Sequence, residues 1–169
     1  MRWTAASPPL SLPATVPGDL LTDLWRAGLV GDPYHGTNFR RDAELWSGRT
    51  WTYGTSFALP PSMAGEGRGE AEALLVLEGV KMGARIAVDG RPVGAATDQF
   101  LRHVYPLALG VDPDLSGSGG ERANHTLTVQ FDPAMATDGN RFMACSGGWD
   151  WAPFPDAPLT PDPAPARRH

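Results

Sequence analysis

The sequence predicts an all-β fold, an antiparallel sandwich of short strands with one short helix near the N-terminus. Three observations carry that expectation. With 17 prolines and 20 glycines in 169 residues, the chain turns often and suits short strands better than a helical bundle. Several stretches alternate apolar and polar residues with the period of two that a half-buried strand requires. Asp89-Gly90, set between two such stretches, supplies the two positive-φ positions of a tight hairpin turn.

The helix comes first. Val16-Pro17-Gly18 precedes Asp19 to Trp25, and Gly28 stands where a C-terminal cap belongs. Leu20, Leu21, Leu24 and Trp25 share one face, while Asp19 and Asp23 complement the positive end of the helix. So short a helix needs packing to hold it. From Thr50 to Ala58 a strand places Trp51, Tyr53 and Phe57 on one face. Ala73 to Leu77 is continuously apolar, which predicts a central strand covered on both sides. Ala84, Ile86 and Val88 form the outgoing arm of the Asp89-Gly90 hairpin, and Arg91 to Ala95 the returning one. Phe100 to Tyr105 is a further strand, and Leu127, Val129 and Phe131 mark another. Pro60 to Gly69 and Pro113 to Gly120 are Gly-, Pro- and Ser-rich loops. The sandwich domain is expected over residues 1–153, followed by a proline-rich extended or disordered tail over 154–169.

Composition narrows the function classes. A net charge of −5 with scattered arginines (Arg40-Arg41, Arg85, Arg102, Arg141) lacks the clustered basic face of a nucleic-acid binder. Those arginines read as solvated or paired surface residues. A single cysteine, Cys145, allows no intramolecular disulfide and no multi-thiolate metal site. His35, His103, His125 and His169 have no ligand spacing, so neither a metal nor a cofactor is expected. The N-terminus shows no apolar signal region and no stretch approaches a membrane span. Asn124-His125-Thr126 has the form of a glycosylation acceptor, read here as a chance triplet.

The densest cluster of unusual residues runs from Arg141 through Gly147-Gly148-Trp149-Asp150-Trp151-Ala152-Pro153. Indole faces stack on the C–H faces of sugar rings, and a carboxylate accepts hydrogen bonds from paired hydroxyls. The pattern therefore suits carbohydrate. It equally suits a loop whose tryptophans are core or interface residues, and the residues alone leave both readings open.

The same segment resembles the Gly-Trp-Asp-Trp-Gly-Pro signature that closes the N-terminal domain of β-mannosidases in glycoside hydrolase family 2. Ala14-Thr15-Val16-Pro17-Gly18-Asp19, Thr22-Asp23-Leu24 and Ala27-Gly28-Leu29 are similar to that family's opening helix. Asp32-Pro33-Tyr34, Asn38, Trp46, Trp51-Thr52-Tyr53, Gly79, Val88-Asp89-Gly90, Val93-Gly94 and Phe100-Leu101-Arg102-His103 follow in the family's order. Together they run from about Pro13 to Pro153. Ala152, Gly147 and Phe142 depart from the usual glycine, phenylalanine and lysine, which marks a divergent branch.

The resemblance implies a galactose-binding-domain-like jelly roll, followed in the family by immunoglobulin-like domains and a (β/α)8 barrel that holds both catalytic glutamates. It implies that Asp150 accepts hydrogen bonds from mannose hydroxyls, that Trp149 and Trp151 wall the pocket, and that Arg141 braces the loop. A lysosomal or cytoplasmic setting also follows from it. The expected role is an accessory sugar-binding-type domain of a β-mannosidase-like enzyme, with a β-mannoside or related glycan as ligand. A stand-alone carbohydrate-binding module is the alternative. A purely structural module is the third reading.

Catalysis within these residues is not expected. Retaining hydrolysis needs two carboxyl groups about 5–5.5 Å apart, and Glu44, Glu66, Glu70, Glu72, Glu78 and Glu121 all sit in polar turns, loops or strand ends. A (β/α)8 barrel alone takes about 250 residues.

Overall fold

The computed structural model describes residues 1–46, 48–58, 70–81, 83–110, 124–133 and 135. Eight strands and three short helices appear among them: β1 (Trp3–Ser7), β2 (Leu10–Ala14), α1 (Leu20–Arg26), α2 (Asn38–Arg41), α3 (Ala43–Trp46), β3 (Trp51–Ala58), β4 (Glu70–Glu78), β5 (Ala84–Val88), β6 (Arg91–Ala96), β7 (Arg102–Gly110) and β8 (Asn124–Phe131). Six strands form one sheet in the order β2-β1-β3-β8-β5-β6, and β4 pairs with β7 in a second. Every pairing is antiparallel. The expected sandwich class is therefore the observed one.

Register explains why the large sheet has one apolar face. Ala5, Tyr53, Val129, Ile86 and Gly94 are consecutive cross-strand partners, as are Trp51, Phe131, Ala84 and Ala96. Because side chains alternate along each strand, these rows share a face. Ala5, Trp51, Tyr53, Ala84, Ile86, Ala96 and Val129 are all buried there. Leu107 and Leu109 of β7 close the core from the other side, with Leu75 and Leu77 of β4 packed against it.

β4 corrects one expectation. Its continuous apolar run is covered on one face only: Leu75 and Leu77 point to the core, while Leu74 is 67% and Val76 46% exposed. A run without alternation states that the strand is apolar, and does not state that both faces are covered. The β1–β2 hairpin, packed on β3 through Trp3↔Thr55 and Ala5↔Tyr53, has no counterpart in the sequence reading. Prolines at 8, 9 and 13 and small residues elsewhere mask its alternation.

The helix forms where its caps predict. Asp19 is the N-cap, its Oδ1 accepting the Thr22 N–H at 2.8 Å, and Gly28 follows at φ +71 as the left-handed closing residue. Its buried face differs from the expected one. Leu24 is fully buried and so is Asp23, whereas Trp25 is 42% exposed. The hairpin turn behaves as read, with Asp89 at φ 50 and Gly90 at φ 74. The loops expected over 60–69 and 113–120 and the tail over 154–169 lie outside the described residues. Among the described residues no helix is long and apolar enough to cross a membrane.

Candidate functional site

Arg141, Trp149, Asp150 and Trp151, the residues the sequence singles out, lie outside the described residues. What is described is the point where the chain departs toward them. β8 ends at Phe131, whose ring meets Tyr53 edge-on at 5.7 Å. Asp132 then donates its N–H to the Gly83 carbonyl at 3.0 Å, and the Met135 N–H turns back to the Asp132 carbonyl at 3.0 Å. An ion pair of 3.7 Å joins Asp132 to Arg85 on β5. The chain therefore leaves the sheet at a point tied to β5 by both backbone and side chain.

Two polar knots tie the elements of the sheet together. The first is centred on Asp23. Its carboxylate accepts the Thr15 N–H at 3.2 Å on each oxygen and the Tyr53 hydroxyl at 3.4 Å. The helix is thereby bonded to the end of β2 and to the core face of β3. Burial raises the Tyr53 phenol well above its ordinary value, and the Asp23 charge and hydrogen bond push it further. Tyr53 thus stays a neutral donor. The second knot joins the β5–β6 turn to β8. Asp89 accepts the Thr126 N–H at 2.8 Å, and its other oxygen lies 2.8 Å from His125 Nδ1. Burial pulls the Asp89 carboxyl upward, but the Thr126 N–H, His125 and Arg91 together outweigh it and leave the pKa lowered.

Two open cavities lie on the described surface. The larger, about 590 Å³, sits on the outward face of the six-stranded sheet, with Thr52, Arg85, Thr128 and Gln130 among its lining and Met135 beside them. The smaller, about 280 Å³, lies beside α2 and α3, between Arg41, Asp42, Glu44 and Arg49. No aromatic ring is among the described residues that line either cavity. The described lining of the larger contains no carboxylate. In the smaller, the hydrogen bond from Arg41 and the Gly31 N–H hold Asp42 below its usual range against the opposing effect of burial. A carboxyl held ionised in that way cannot act as a general acid. Among the described residues no group of three or more His, Cys, Asp or Glu side chains is placed to hold a metal ion.

The structure brings together residues that sequence reasoning did not. Thr52, Gln130 and Arg85 are direct cross-strand partners on β3, β8 and β5 but are far apart in sequence. Asp23 reads in the sequence as a helix-end charge, and only the fold reveals Thr15 and Tyr53 as its partners. The Thr-Asp pair at positions 22 and 23, inside the family-like helix, was the available signal.

Residues 3–141 match the family model described as glycosyl hydrolase 2 galactose-binding domain-like. Among curated proteins, β-mannosidase A of Aspergillus terreus is 28% identical over 176 residues, covering 90% of this chain and 18% of its own length. The β-mannosidase of Bos taurus is 28% identical over 165 residues, covering 86% of this chain and again 18% of its own. The chain therefore spans less than a fifth of the length of these relatives. Among solved structures, the β-D-mannosidase from Dictyoglomus thermophilum superposes with a TM-score of 0.61 at 19% identity, covering 79% of this chain and 15% of that protein. That likeness shows a shared fold.

Proposed function

Because the chain belongs to the glycosyl hydrolase 2 galactose-binding domain-like family, we propose that it serves as the accessory sandwich domain of a β-mannosidase-like glycosidase. The single observation that carries this reading is the match over nearly the whole described fold to one terminal portion of relatives named β-mannosidase, in a fungus and a mammal alike. Residues 1–153 are the sandwich domain in this reading and 154–169 a proline-rich extended or disordered tail. The two catalytic carboxylates belong to a (β/α)8 barrel encoded beyond these residues, with immunoglobulin-like domains between.

In this arrangement the segment from Arg141 to Trp151 reaches from the sandwich toward the barrel mouth. Asp150 accepts hydrogen bonds from glycone hydroxyls, Trp149 and Trp151 wall the pocket by apolar contact with the ring, and Arg141 braces the segment. The anchored departure at Asp132 favours such a role, because a projecting loop positions ligand groups well only when its base is held.

The test is an aryl β-mannoside assay on two polypeptides. The 169-residue chain is expected to show no hydrolysis, and a polypeptide of the relatives' length carrying it is expected to be active. In that longer enzyme Trp149→Ala should lower kcat/KM by about tenfold or more, equivalent to ~1.4 kcal/mol of lost contact in the transition state. Turnover by the short chain alone would overturn the reading.

A further inference from the structure

We propose that the outward face of the six-stranded sheet carries a second saccharide-binding site, independent of the Trp149–Trp151 segment, built on the row Thr52, Gln130 and Arg85. These three residues face the same way because they are direct cross-strand partners on β3, β8 and β5. Neighbouring strands lie ~4.8 Å apart, so the row spans about 10 Å. It lines an open depression of about 590 Å³ on the sheet face.

The chemistry of the row selects the ligand class. The Thr52 hydroxyl and the Gln130 amide each offer both a donor and an acceptor. Arg85 donates, its charge partly balanced by Asp132 3.7 Å away. A site of alternating donors and acceptors matches hydroxyl groups, which also do both. It is a poorer match for sulfate or phosphate, whose oxygens mostly accept and whose attraction to Arg85 is weakened by the paired Asp132 charge. The Thr128 hydroxyl is occupied by the Ala87 carbonyl at 3.4 Å and serves the floor rather than the ligand. Met135, held over the sheet by its N–H bond to the Asp132 carbonyl at 3.0 Å, and Pro92 supply apolar surface for ring C–H groups. With no aromatic platform among its described lining residues, the site binds in the millimolar range, adequate for holding one more unit of a chain already engaged elsewhere.

The same turn at Asp132 serves both regions. It walls this cavity through Met135 and begins the segment that leads to Arg141. A polymeric glycan bound across the sheet would therefore be presented near the base of that segment. The site itself does not depend on the function proposed above. A neutral saccharide would bind there whether or not the chain belongs to a β-mannosidase.

The test is amide chemical-shift titration of the isotopically labelled 169-residue chain with β-1,4-mannotriose, with inorganic phosphate as the anionic control. Thr52, Arg85, Gln130 and Met135 are expected to shift with the saccharide, in the parent and equally in Trp149→Ala. Gln130→Ala should weaken that response about fivefold, the loss of one hydrogen bond to a solvated ligand. Thr52→Val keeps the strand's side-chain shape and should weaken it similarly, so that a misfolded Gln130 variant does not decide the matter. Shifts confined to residues 141–153, or none at all, overturn the site. Shifts of the row caused by phosphate and not by mannotriose overturn the ligand class.

Discussion

Two residues show how much the fold rests on single contacts. Gly94 on β6 faces the core, and a Cβ built there would stand 2.0 Å from Cε1 of Tyr105. The ring is itself tied down, its hydroxyl donating to the Ala95 carbonyl at 3.0 Å, so it cannot swing aside without losing that bond. Gly94→Ala should therefore destabilise the chain by about 1–3 kcal/mol, read as a lower urea midpoint with an unchanged slope. Asp23 is the polar counterpart. Removing its carboxylate strands the Tyr53 hydroxyl in a buried setting and the Thr15 N–H in a part-buried one. Asp23→Ala should cost about 2–4 kcal/mol, and Asp23→Asn, which keeps one acceptor, distinctly less. Equal losses for the two variants would show that charge alone matters there. Neither contact could be read from the sequence, because each joins elements whose pairing is decided only by the assembled sheet. Asp89 adds a pH dependence. Its folded pKa lies below the ordinary carboxylate value, so its stabilising effect is present above the unfolded pKa of about 3.9 and is lost as pH falls through the folded value. Asn tolerates the positive φ of the turn, which makes Asp89→Asn a clean comparison. The variant should be less stable than the parent at neutral pH, and the gap should close below about pH 4.

At the level of elements, legibility followed local chemistry. The helix was readable because Asp19 and Gly28 are genuine caps, and β3, β5 and β8 because each buries one face and alternates accordingly. The β5–β6 hairpin was readable because only a few residue pairs accept its two positive φ angles. β4 departs from the sequence expectation in its surroundings rather than in its existence. Its outward residues Leu74 and Val76 lie beside Pro106 and Val104 of β7, making an exposed apolar stripe bordered by the 2.7 Å ion pair of Arg102 with Glu78. A stripe of this kind raises self-association more than it contributes to the fold. Val76→Thr combined with Val104→Thr keeps the β-branched shape. The pair should leave the thermal midpoint nearly unchanged, within about 0.5 kcal/mol, while reducing binding of a hydrophobic dye. A large stability loss would mean that these side chains are covered in solution. The Trp149-Asp150-Trp151 segment was conspicuous as a motif, whereas the Thr52, Gln130 and Arg85 row was invisible, since cross-strand register creates it.

The whole molecule is asymmetric, and that asymmetry sets where it opens first. β3, β8 and β5 each have a hydrogen-bonded neighbour on both sides, and their inward side chains supply about half of the buried core. Among the described residues β4 and β7 pair only with each other, and a two-stranded ribbon by itself is marginal in water. What holds β7 to the large sheet is the burial of Leu107 and Leu109 together with the Tyr105 bridge to β6. The family resemblance identified the sandwich as a whole, but family membership does not reveal such a gradient, which comes from pairing and burial in this chain. Local opening should therefore be cheapest at β4 and most costly at β8. Native-state hydrogen exchange is expected to show the slowest amides in β3, β8 and β5, and faster exchange along the β4–β7 ladder. Tyr105→Phe removes one hydrogen bond worth about 1 kcal/mol. It should speed exchange in β4 and β7 roughly fivefold while leaving the slowest amides of β8 governed by global unfolding. If instead all strands exchanged at a common rate, and Tyr105→Phe shifted them together, the two sheets would form a single cooperative unit despite their unequal pairing.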